Sequence, residues 1–461
     1  MIDMKIEQMA QIMQGSAHGE AEITTKTIFQ FDSRQVNSGD IFLALKGEKA
    51  DGHDFVSDAS ARGASLSIVN RPVPTPHILV GDVLLALAKL AAYVRRELKD
   101  LKVIGITGSQ GKTTTKDLLL SILKAEGETV ASIGSFNNEL GVPLTLLRCT
   151  KESKYCILEM GARNSGDIAS LTAIASPDVG AVLKVGNAHI GQFGSQEMIA
   201  KTKGELIASL KSGAVAVLGT YDSFTPKMES AQGVKRVTFG DSPKCDVRAA
   251  DIEARGGFAH FDLVIGNERQ AVGLQILGLH QISNALAAAA IANALDVGVS
   301  RIATALSNHQ SISKWRMELS EANGLTLIND SYNANPESME AALNVLALLT
   351  QEKGGRSWAF LGQMHELGDN SDQMHEEIGK KVADLGIDYL VAIKSKSYLS
   401  KIDSSLTSAR YLSSWQESLD LFREFNPGDV ILVKASRAEG LNELASAIKA
   451  KAMSEQEGES K

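Results

Sequence analysis

One stretch of the chain decides its fold: Lys102-Val103-Ile104-Gly105-Ile106-Thr107-Gly108-Ser109-Gln110-Gly111-Lys112-Thr113. It begins as an apolar run rich in β-branched residues, passes through a glycine loop, and leads into a segment with leucine and isoleucine on one helical face. Strand, glycine loop and helix in this order are typical of an α/β domain with a parallel sheet. We therefore expect such a domain to open near Lys102.

The loop within this stretch has the residues that a nucleotide triphosphate requires. Glycines let backbone N–H groups approach phosphate oxygens, a lysine meets their charge, and a threonine hydroxyl serves magnesium. The spacing is Gly-x-x-Gly-Lys-Thr, and Ile106 stands where the general pattern has its first glycine. The alternative is a simple glycine turn before a helix. The residues expected to bind ATP are Gly108, Ser109, Gln110, Gly111, Lys112, Thr113 and Thr114.

A chain of 461 residues is too long for one ordinary core, so we expect several domains. Short apolar runs alternate with helical patterns, which predicts an α/β fold of three domains. Residues 1–101 would form a small α/β domain, residues 102–313 a central phosphate-loop domain with a mostly parallel sheet, and residues 314–461 a Rossmann-like α/β domain. Further central strands are expected at residues 155–158, 179–185 and 214–218, and a helix at residues 283–295.

The formal net charge of -8 is spread along the chain without long runs of one sign. Such a surface has no electrostatic footprint for a nucleic acid or an anionic membrane. No window of 18 apolar residues occurs, and the three cysteines lack the spacing of a zinc site or a disulfide framework. We expect a cytoplasmic protein that binds neither nucleic acid nor membrane.

Polar side chains of the central domain follow predicted strands, where the ligand crevice of a parallel sheet lies. Glu159 comes directly after a strand and is either a magnesium ligand or a surface acid. His189 follows another strand and either ligates a metal, orients a phosphate or has a structural role. Lys201 and Lys203 lie on a predicted helix, where lysines are usually solvated.

The third domain has two segments dense in ligand-binding side chains, residues 329–336 and 361–368, and both follow predicted strands. Asn335 as N-cap and Pro336 as first helical residue predict the start of a helix over residues 337–350. Capping leaves Asp330 and Tyr332 unexplained, so we expect ligand contact for Asp330. Other strands of this domain are predicted at residues 325–328, 358–361, 389–393 and 430–433.

Taken together, these motifs resemble the Mur ligases of peptidoglycan synthesis, in which a shortened phosphate loop is normal. The motifs are Thr107-Gly108-x-x-Gly111-Lys112-Thr113, Glu159-Met160-Gly161, Asn187-Ala188-His189 and Asp330-Ser331-Tyr332-Asn333-Ala334-Asn335-Pro336. Asp32-Ser33-Arg34 is similar to part of the family's UDP-sugar-binding domain. Two further segments are similar to the members that add D-alanyl-D-alanine: Asn137-Asn138-x-x-Gly141-Val142-Pro143 and Gly362-x-Met364-x-Glu366-Leu367-Gly368.

The resemblance implies an ATP-dependent amide ligase that adds D-alanyl-D-alanine to UDP-N-acetylmuramoyl-tripeptide through an acyl phosphate. Residues 1–101 would bind the UDP-muropeptide, and the C-terminal domain would bind the dipeptide and close on ATP about a hinge within residues 308–314. Implied catalytic residues are Lys112, Glu159, His189 and Lys203. Thr113, Glu159 and His189 would serve two Mg²⁺ ions, and Lys203 would carry a carbamate, an anionic oxygen donor.

The resemblance also implies the remaining contacts of the site. Asn284, Arg316 and Asp330 would bind ATP, whereas the substrates would contact Ser33, Arg34, Asn137, Asn138, Tyr332, Asn333, Asn335 and the stretch 434–437. Three positions depart from the family's usual pattern: Gln281, Asn329 and Ala435. The small-molecule site is expected to form within one chain, which predicts a monomer.

Two other functions stay open at this point. One is another amide ligase of similar architecture, either the enzyme that adds the third residue of the same peptide or a folylpolyglutamate synthetase-like enzyme. The other is a nucleotide-binding regulatory or scaffold protein that kept the loop without catalysis. Lys112, Glu159 and His189 together favour an enzyme.

Overall fold

The computed structural model describes residues 2–402 and 407–459, which form three α/β units, each on its own sheet. This arrangement confirms the predicted fold class. The boundaries expected at residues 101 and 313 stay predictions. Within the described ranges, no helix combines the length and apolar character needed to cross a membrane.

The first unit is a small α/β layer. Its elements are α1 (Ile6–Ile12), β1 (Ser16–His18), β2 (Phe29–Gln30), β3 (Ile41–Leu43), α2 (Val56–Ala61), β4 (Leu66–Val69), β5 (His77–Leu79) and α3 (Val83–Glu97). The strands pair in the order β1-β5-β4-β3-β2, parallel except between β1 and β5. Asp82 caps α3 by accepting a hydrogen bond from Leu85 N at 2.8 Å, and this helix packs on the sheet.

The second unit contains the stretch that opened the sequence analysis. Its strands are β6 (Lys102–Thr107), β7 (Thr129–Ala131), β8 (Tyr155–Glu159), β9 (Val179–Val182), β10 (Val215–Gly219), β11 (Lys235–Gly240), β12 (Val247–Arg255), β13 (Phe258–Ile265) and β14 (Glu268–Leu277). Its helices are α4 (Lys112–Lys124), α5 (Gly141–Leu147), α6 (Asp167–Ala175), α7 (Ile190–Phe193), α8 (Gln196–Ala208), α9 (Gln281–Ala294) and α10 (Val299–Ser307).

The central sheet is mostly parallel, as predicted. Its strand order is β14-β13-β12-β11-β10-β9-β6-β8-β7, and only the pairs that involve β13 are antiparallel. Helices cover both faces, so neighbouring residues of β6 enter opposite cores: Val103 packs with α5, α6 and α8, whereas Ile104 packs with α4 and α9. This double burial explains why its strands read as continuous apolar runs.

One predicted strand is wrong at its end. The apolar run over residues 179–185 predicted a strand of seven residues, but β9 ends at Val182. Beyond it the backbone leaves the sheet ladder, because Lys184 O accepts a hydrogen bond from Ser109 N at 2.8 Å and Val185 N donates to Asp222 Oδ2 at 2.9 Å. The end of this run therefore supports the phosphate loop.

The third unit has a Rossmann-like sheet. Its elements are β15 (Glu318–Ala322), β16 (Leu325–Asp330), α11 (Pro336–Lys353), β17 (Ser357–Leu361), α12 (Ser371–Asp384), β18 (Tyr389–Ile393), β19 (Ser408–Leu412), β20 (Val430–Lys434) and α13 (Asn442–Glu459). The order is β15-β16-β20-β17-β18-β19, with only β15 antiparallel to its neighbour. Asn335 caps α11 and Pro336 is its first residue, which confirms the predicted helix start.

Short 3-10 helices lie between the elements described above. They cover Ser33–Gln35, Gly52–Phe55, Thr225–Lys227, Gly368–Asn370, Lys396–Leu399, Trp415–Glu424 and Arg437–Glu439.

The linker between the second and third units is attached to α4, the helix after the phosphate loop. Ser313 Oγ donates a hydrogen bond to Asp117 Oδ2 at 2.5 Å, and His309 Nδ1 lies 2.7 Å from Ser121 Oγ. Just beyond it, Trp315 has a φ of 60°, in the left-handed region that few side chains adopt. The region expected to act as a hinge is thus tied to the element that follows the phosphate loop.

Candidate active site

A cleft of about 1170 Å³ lies between the second and third units. The carboxyl ends of β8 and β9 flank that of β6 on one side, and β20 lies between β16 and β17 on the other. Ligands of open α/β sheets bind outside the carboxyl ends of the strands. Two sheet edges of this kind, one from each unit, meet at this cleft. Its walls include most of the residues expected to bind ATP, metal or substrate.

The phosphate loop joins β6 to α4 at the floor of the cleft. Gly111 precedes the helix with a φ of 80°, and a Cβ at this position would lie 2.1 Å from Asn284 Oδ1. Glycine is therefore required for both its backbone conformation and its contact. Ser109 Oγ accepts a hydrogen bond from Gly186 N at 2.9 Å, which ties the loop to the segment after β9. The first turn of α4 lines the cleft, and the N–H groups at the start of a helix have no partner within the helix, which suits them to bind an anion.

Lys112 folds over this loop, with Nζ donating to Gly108 O at 2.8 Å. Burial lowers the pKa of its ammonium group, the negative charge of Glu159 opposes that shift, and the positive charge of Arg316 adds to it. A cation next to free helix N–H groups is suited to bind phosphate oxygens.

Glu159 ends β8 and is 1% exposed. Its carboxylate accepts hydrogen bonds from Thr113 Oγ1 at 2.9 Å and from Asn137 Nδ2 at 2.9 Å. Both donors are neutral, so neither contact is an ion pair that balances the charge of this buried carboxylate. A carboxylate and a hydroxyl side by side are hard oxygen ligands of the type Mg²⁺ prefers, so these two residues fit a magnesium ion.

His189 lies on the same cleft but is turned toward the third unit. It precedes α7 with a φ of 62°, and its Nδ1 pairs with the carboxylate of Glu366. Burial lowers the pKa of this imidazole, while the charge of Glu366 raises it. Within residues 2–402 and 407–459, no group of three His, Cys, Asp or Glu side chains is preassembled to hold a metal ion.

Lys203 and Lys201 have opposite environments on α8. Lys203 is 4% exposed and lines the cleft, whereas Lys201 is exposed to solvent. Burial, with a smaller contribution from the charge of Lys112, lowers the pKa of Lys203 to about 7. A large fraction of this amine is therefore neutral at physiological pH, which makes it nucleophilic.

The third unit contributes charged and aromatic groups to the opposite wall. Asp330 Oδ2 accepts a hydrogen bond from Lys434 Nζ at 2.5 Å, and its Oδ1 accepts one from Met317 N at 3.1 Å. Arg316 reaches across the cleft and donates to Thr113 Oγ1 at 3.2 Å, with its guanidinium 3.9 Å from the ring centroid of Tyr332. The linker thus delivers a cation directly beside the phosphate loop.

Asn284 lies behind the loop on α9. Its Nδ2 donates to Gln281 Oε1 at 2.8 Å, and Gln281 Nε2 lies 3.0 Å from His280 Nε2. Burial lowers the pKa of His280 to about 4, so this imidazole is neutral. Gln281, one of the departures from the family pattern, thereby orients the amide expected near the adenine.

Other residues expected to bind substrate divide into two groups. Asn137, Asn138, Tyr332, Asn333 and Asn335 line the cleft. Tyr332 also contacts Ser135 across it through their hydroxyl groups, and Asn335 uses its side-chain oxygen to accept from Ser338 N at 2.9 Å. Ser33 and Arg34 lie outside the cleft on the first unit, where Arg34 pairs with Asp32 at 2.8 Å.

Among the carboxylates at the cleft that sequence reasoning missed as site residues, Glu337 and Glu366 make contacts between the second and third units. Glu337 accepts one hydrogen bond from Gln110 of the phosphate loop and one from Asn187 N, and Glu366 contacts His189. Nearby, Gly191 N donates to Glu366 O at 3.2 Å, and a Cβ at Gly191 would lie 2.4 Å from Gly368 N. The sequence signals for Glu366 were its place in a segment dense in polar residues and in the motif Gly362-x-Met364-x-Glu366-Leu367-Gly368, whereas Glu337 resembles an ordinary acid in a first helical turn.

Comparison with protein families and known proteins agrees with this architecture. Residues 27–95 match the Mur ligase family catalytic domain, residues 106–292 the Mur ligase middle domain, and residues 315–437 the Mur ligase glutamate ligase domain. The chain is 38% identical over 502 residues to the UDP-N-acetylmuramoyl-tripeptide--D-alanyl-D-alanine ligase of Mycobacterium tuberculosis, covering 97% of this chain and 98% of that protein.

Two solved structures extend the likeness to three dimensions. MurF from Acinetobacter baumannii has a TM-score of 0.87 at 35% identity, with 96% of this chain and 98% of that chain covered. The MurF ligase from Thermotoga maritima, determined in complex with ADP, has a TM-score of 0.81 at 30% identity, with 94% and 99% covered. Matches of this extent include all three units, and the chain belongs to the Mur ligase family.

Proposed function

We propose that this chain is the ATP-dependent ligase that joins D-alanyl-D-alanine to UDP-N-acetylmuramoyl-tripeptide through an acyl phosphate. The observation that carries the proposal is the meeting of two walls at one cleft. The phosphate loop and Glu159 form one wall, and Arg316, Asp330 and Lys434 come from the linker and third unit. Relatives that span nearly the whole chain bear the name of this reaction, and one solved relative binds ADP.

The first step activates a carboxylate, which is a poor electrophile until one oxygen becomes a leaving group. The terminal carboxylate of the tripeptide attacks the γ-phosphorus of ATP, ADP departs, and an acyl phosphate forms. Catalysis of such a transfer rests on alignment and on neutralising the charge of the transferring group. Lys112, at the start of α4, is placed to supply positive charge there, and Arg316 adds a second cation.

The second step makes the amide bond. The neutral amine of D-alanyl-D-alanine attacks the acyl carbon, a tetrahedral intermediate forms, the nitrogen loses a proton, and inorganic phosphate leaves with its bonding electron pair. Water must be excluded because it would hydrolyse the acyl phosphate. The close approach of Gly191 to the segment around Gly368 narrows the cleft where the third unit meets the second.

Magnesium would be held by Thr113 and Glu159, and His189 would join when it releases Glu366. The donors support this assignment: Glu159 is buried and receives hydrogen bonds from neutral groups only among its described contacts. When bound, Mg²⁺ supplies charge stabilisation for phosphate oxygens. We propose two such ions, as the phosphates of ATP and the acyl phosphate carry several charges.

Lys203 would carry a carbamate. A lysine forms this adduct when its neutral amine attacks carbon dioxide and loses a proton, which replaces a cation by an anionic oxygen donor. Burial and a pKa lowered to about 7 favour the neutral amine in this position. Lys201 is exposed and lacks both features.

The remaining contacts are those that the resemblance to the Mur ligases implies. Asn284 would contact the adenine, Asn137, Asn138 and Tyr332 the peptide, and Ser33 with Arg34 the UDP portion on the first unit. Because the cleft is formed within one chain, we propose a monomer, and we propose that it works in the cytoplasm, which its proposed UDP-linked and ATP substrates favour.

The test is to incubate the protein with ATP, Mg²⁺, UDP-N-acetylmuramoyl-tripeptides and D-alanyl-D-alanine, and to identify the product by mass. Expected is a UDP-muramoyl-pentapeptide with one ADP released per bond. Ligation of a single amino acid in place of the dipeptide would instead indicate the enzyme for the third residue or a folylpolyglutamate synthetase-like activity. A regulatory or scaffold protein would release no phosphate that depends on both substrates.

A further inference from the structure

Glu337, the second residue of α11, uses its carboxylate across the cleft. Acids in the first turn of a helix usually act on their own helix through its partial positive charge. Here both carboxylate oxygens bind the second unit instead. Oε2 accepts a hydrogen bond from Gln110 Nε2 at 3.1 Å, and Oε1 accepts one from Asn187 N at 2.8 Å.

The two donors belong to different parts of the phosphate site. Gln110 lies in the phosphate loop. Asn187 directly follows Gly186, whose N donates a hydrogen bond to Ser109 Oγ of that loop. Gly186 also leaves room for the acid, because a Cβ there would lie 2.9 Å from Glu337 Oε1. A single side chain of the third unit therefore contacts both segments that shape the phosphate loop.

The charge of Glu337 makes this contact specific. Hydrogen bonds that a carboxylate accepts are stronger than those between neutral groups. Glu337 is half-buried, and both its oxygens have partners. The arrangement is formed only when α11 is docked on the second unit, which is also when Arg316 reaches Thr113.

We propose that Glu337 is a positioning residue that holds the third unit against the phosphate loop, so that the closed cleft forms with Gln110 and Arg316 in place. This inference rests on the proposed ligase reaction. Glu337 acts through the two donors and not on the substrate. Loss of this side chain should make closure of the cleft less favourable and so slow ligation, while ATP continues to bind.

The experiment compares Glu337→Gln, Glu337→Ala and Glu337→Asp with a matched control on the same helix, Glu340→Gln, an exposed acid outside the cleft. Glu337→Gln loses the charge but can still accept from Asn187 N, and the Gln110 amide can turn its oxygen toward the new amide group, so Glu337→Ala is the variant that removes both contacts. We expect kcat for ligation to fall at least tenfold in Glu337→Ala and by less in Glu337→Gln, with KM for ATP and thermal midpoint within the range of Glu340→Gln. Glu337→Asp, which keeps the charge, should retain more activity than Glu337→Gln.

Small-angle scattering in the presence of ADP provides a second readout. With ADP present, the unmutated chain should show a smaller radius of gyration than the Glu337→Ala variant. Unchanged kcat in Glu337→Gln and Glu337→Ala would overturn the proposal, as would parallel loss of ATP binding and thermal stability. If the unmutated chain ligates no muropeptide, the proposed function fails, and the scattering comparison still decides whether Glu337 holds the units together.

Discussion

Thr113 Oγ1 donates a 2.9 Å hydrogen bond to Glu159 Oε2 and so joins the first turn of α4 to the end of β8. The contact places a hydroxyl and a carboxylate beside the phosphate loop, because β8 pairs with β6, the strand that leads into the loop and α4. Asn137 binds the other oxygen of the same carboxylate. Three chain segments therefore converge on one buried negative charge.

Replacing Glu159 by alanine should remove ligation. The carboxylate is the strongest hard ligand beside Thr113, and loss of one group that stabilises transition-state charge lowers kcat by about 100-fold or more. The measurement is ADP formation with all three substrates present, together with ADP binding by calorimetry in the absence of Mg²⁺. Glu197→Ala, which changes an exposed acid at the start of α8, is the control. Activity within threefold of that control would contradict a role for Glu159 in catalysis.

The first prediction for Lys203 concerns ligation activity, and the second concerns the pH dependence of stability. Lys203→Ala should lose most ligation, whereas Lys201→Ala, on the same helix and exposed, should keep it. Full activity of Lys203→Ala with and without added bicarbonate would contradict the carbamate.

The pH dependence of stability has a defined sign. The pKa of Lys203 is lowered to about 7 from an ordinary value of 10.5, so between these values the unfolded chain binds a proton that the folded chain does not. The free energy of unfolding, relative to Lys203→Met, should therefore rise with pH across this window and stay flat below it. Urea titrations at pH 6, 8 and 9.5 on both proteins, run without bicarbonate, would measure the difference.

Much of the fold was readable because its strands are buried on both faces. Continuous apolar runs predicted β6, β8 and, in the third unit, β16, β17, β18 and β20 but not β15 or β19, and Asn335 with Pro336 predicted the start of α11. The strands β12 to β14 were not predicted. They form an antiparallel extension with one exposed face, so residues such as Glu253 and Arg255 interrupt the apolar pattern.

The site was readable only in part, for a different reason. Residues that follow strands of one sheet, such as Thr113 and Glu159, come together because parallel strands end at a common edge. The contacts of Glu337 and Glu366 depend instead on how two units dock, and no local pattern encodes that geometry. Likewise, helical periodicity suggested a solvated Lys203, but the packing of α8 against the sheet buries it.

Lys434 should be important for stability as well as for the site. Its Nζ binds Asp330 at 2.5 Å and Asn333 O at 2.9 Å, and its side chain is 2% exposed. Lys434→Met keeps the volume but leaves Asp330 without its cation, and breaking a buried pair costs about 3 kcal/mol of unfolding free energy.

Urea unfolding of Lys434→Met measures this loss, with Lys449→Met, an exposed position on α13, as the control. A loss no larger than about 0.5 kcal/mol, the range of neutral surface changes, would show that the ion pair is not a source of stability. The double variant Lys434→Met with Asp330→Asn should recover part of the loss because it removes the unpaired charge.

A substitution at Gly191 tests whether closure of the second and third units is required for ligation. It faces Gly368 so closely that a Cβ would lie 2.4 Å from Gly368 N, and a backbone atom cannot move aside as a flexible side chain can. Gly191→Ala should therefore hold the third unit away from the second and reduce kcat for ligation by about tenfold or more, while ADP still binds the phosphate loop. Gly298→Ala is the matched control, since Gly298 has open space around its Cβ position. Ligation kinetics and ADP calorimetry on both variants give the answer: normal kcat in Gly191→Ala would mean that the contact between these two glycines is not part of the reactive state.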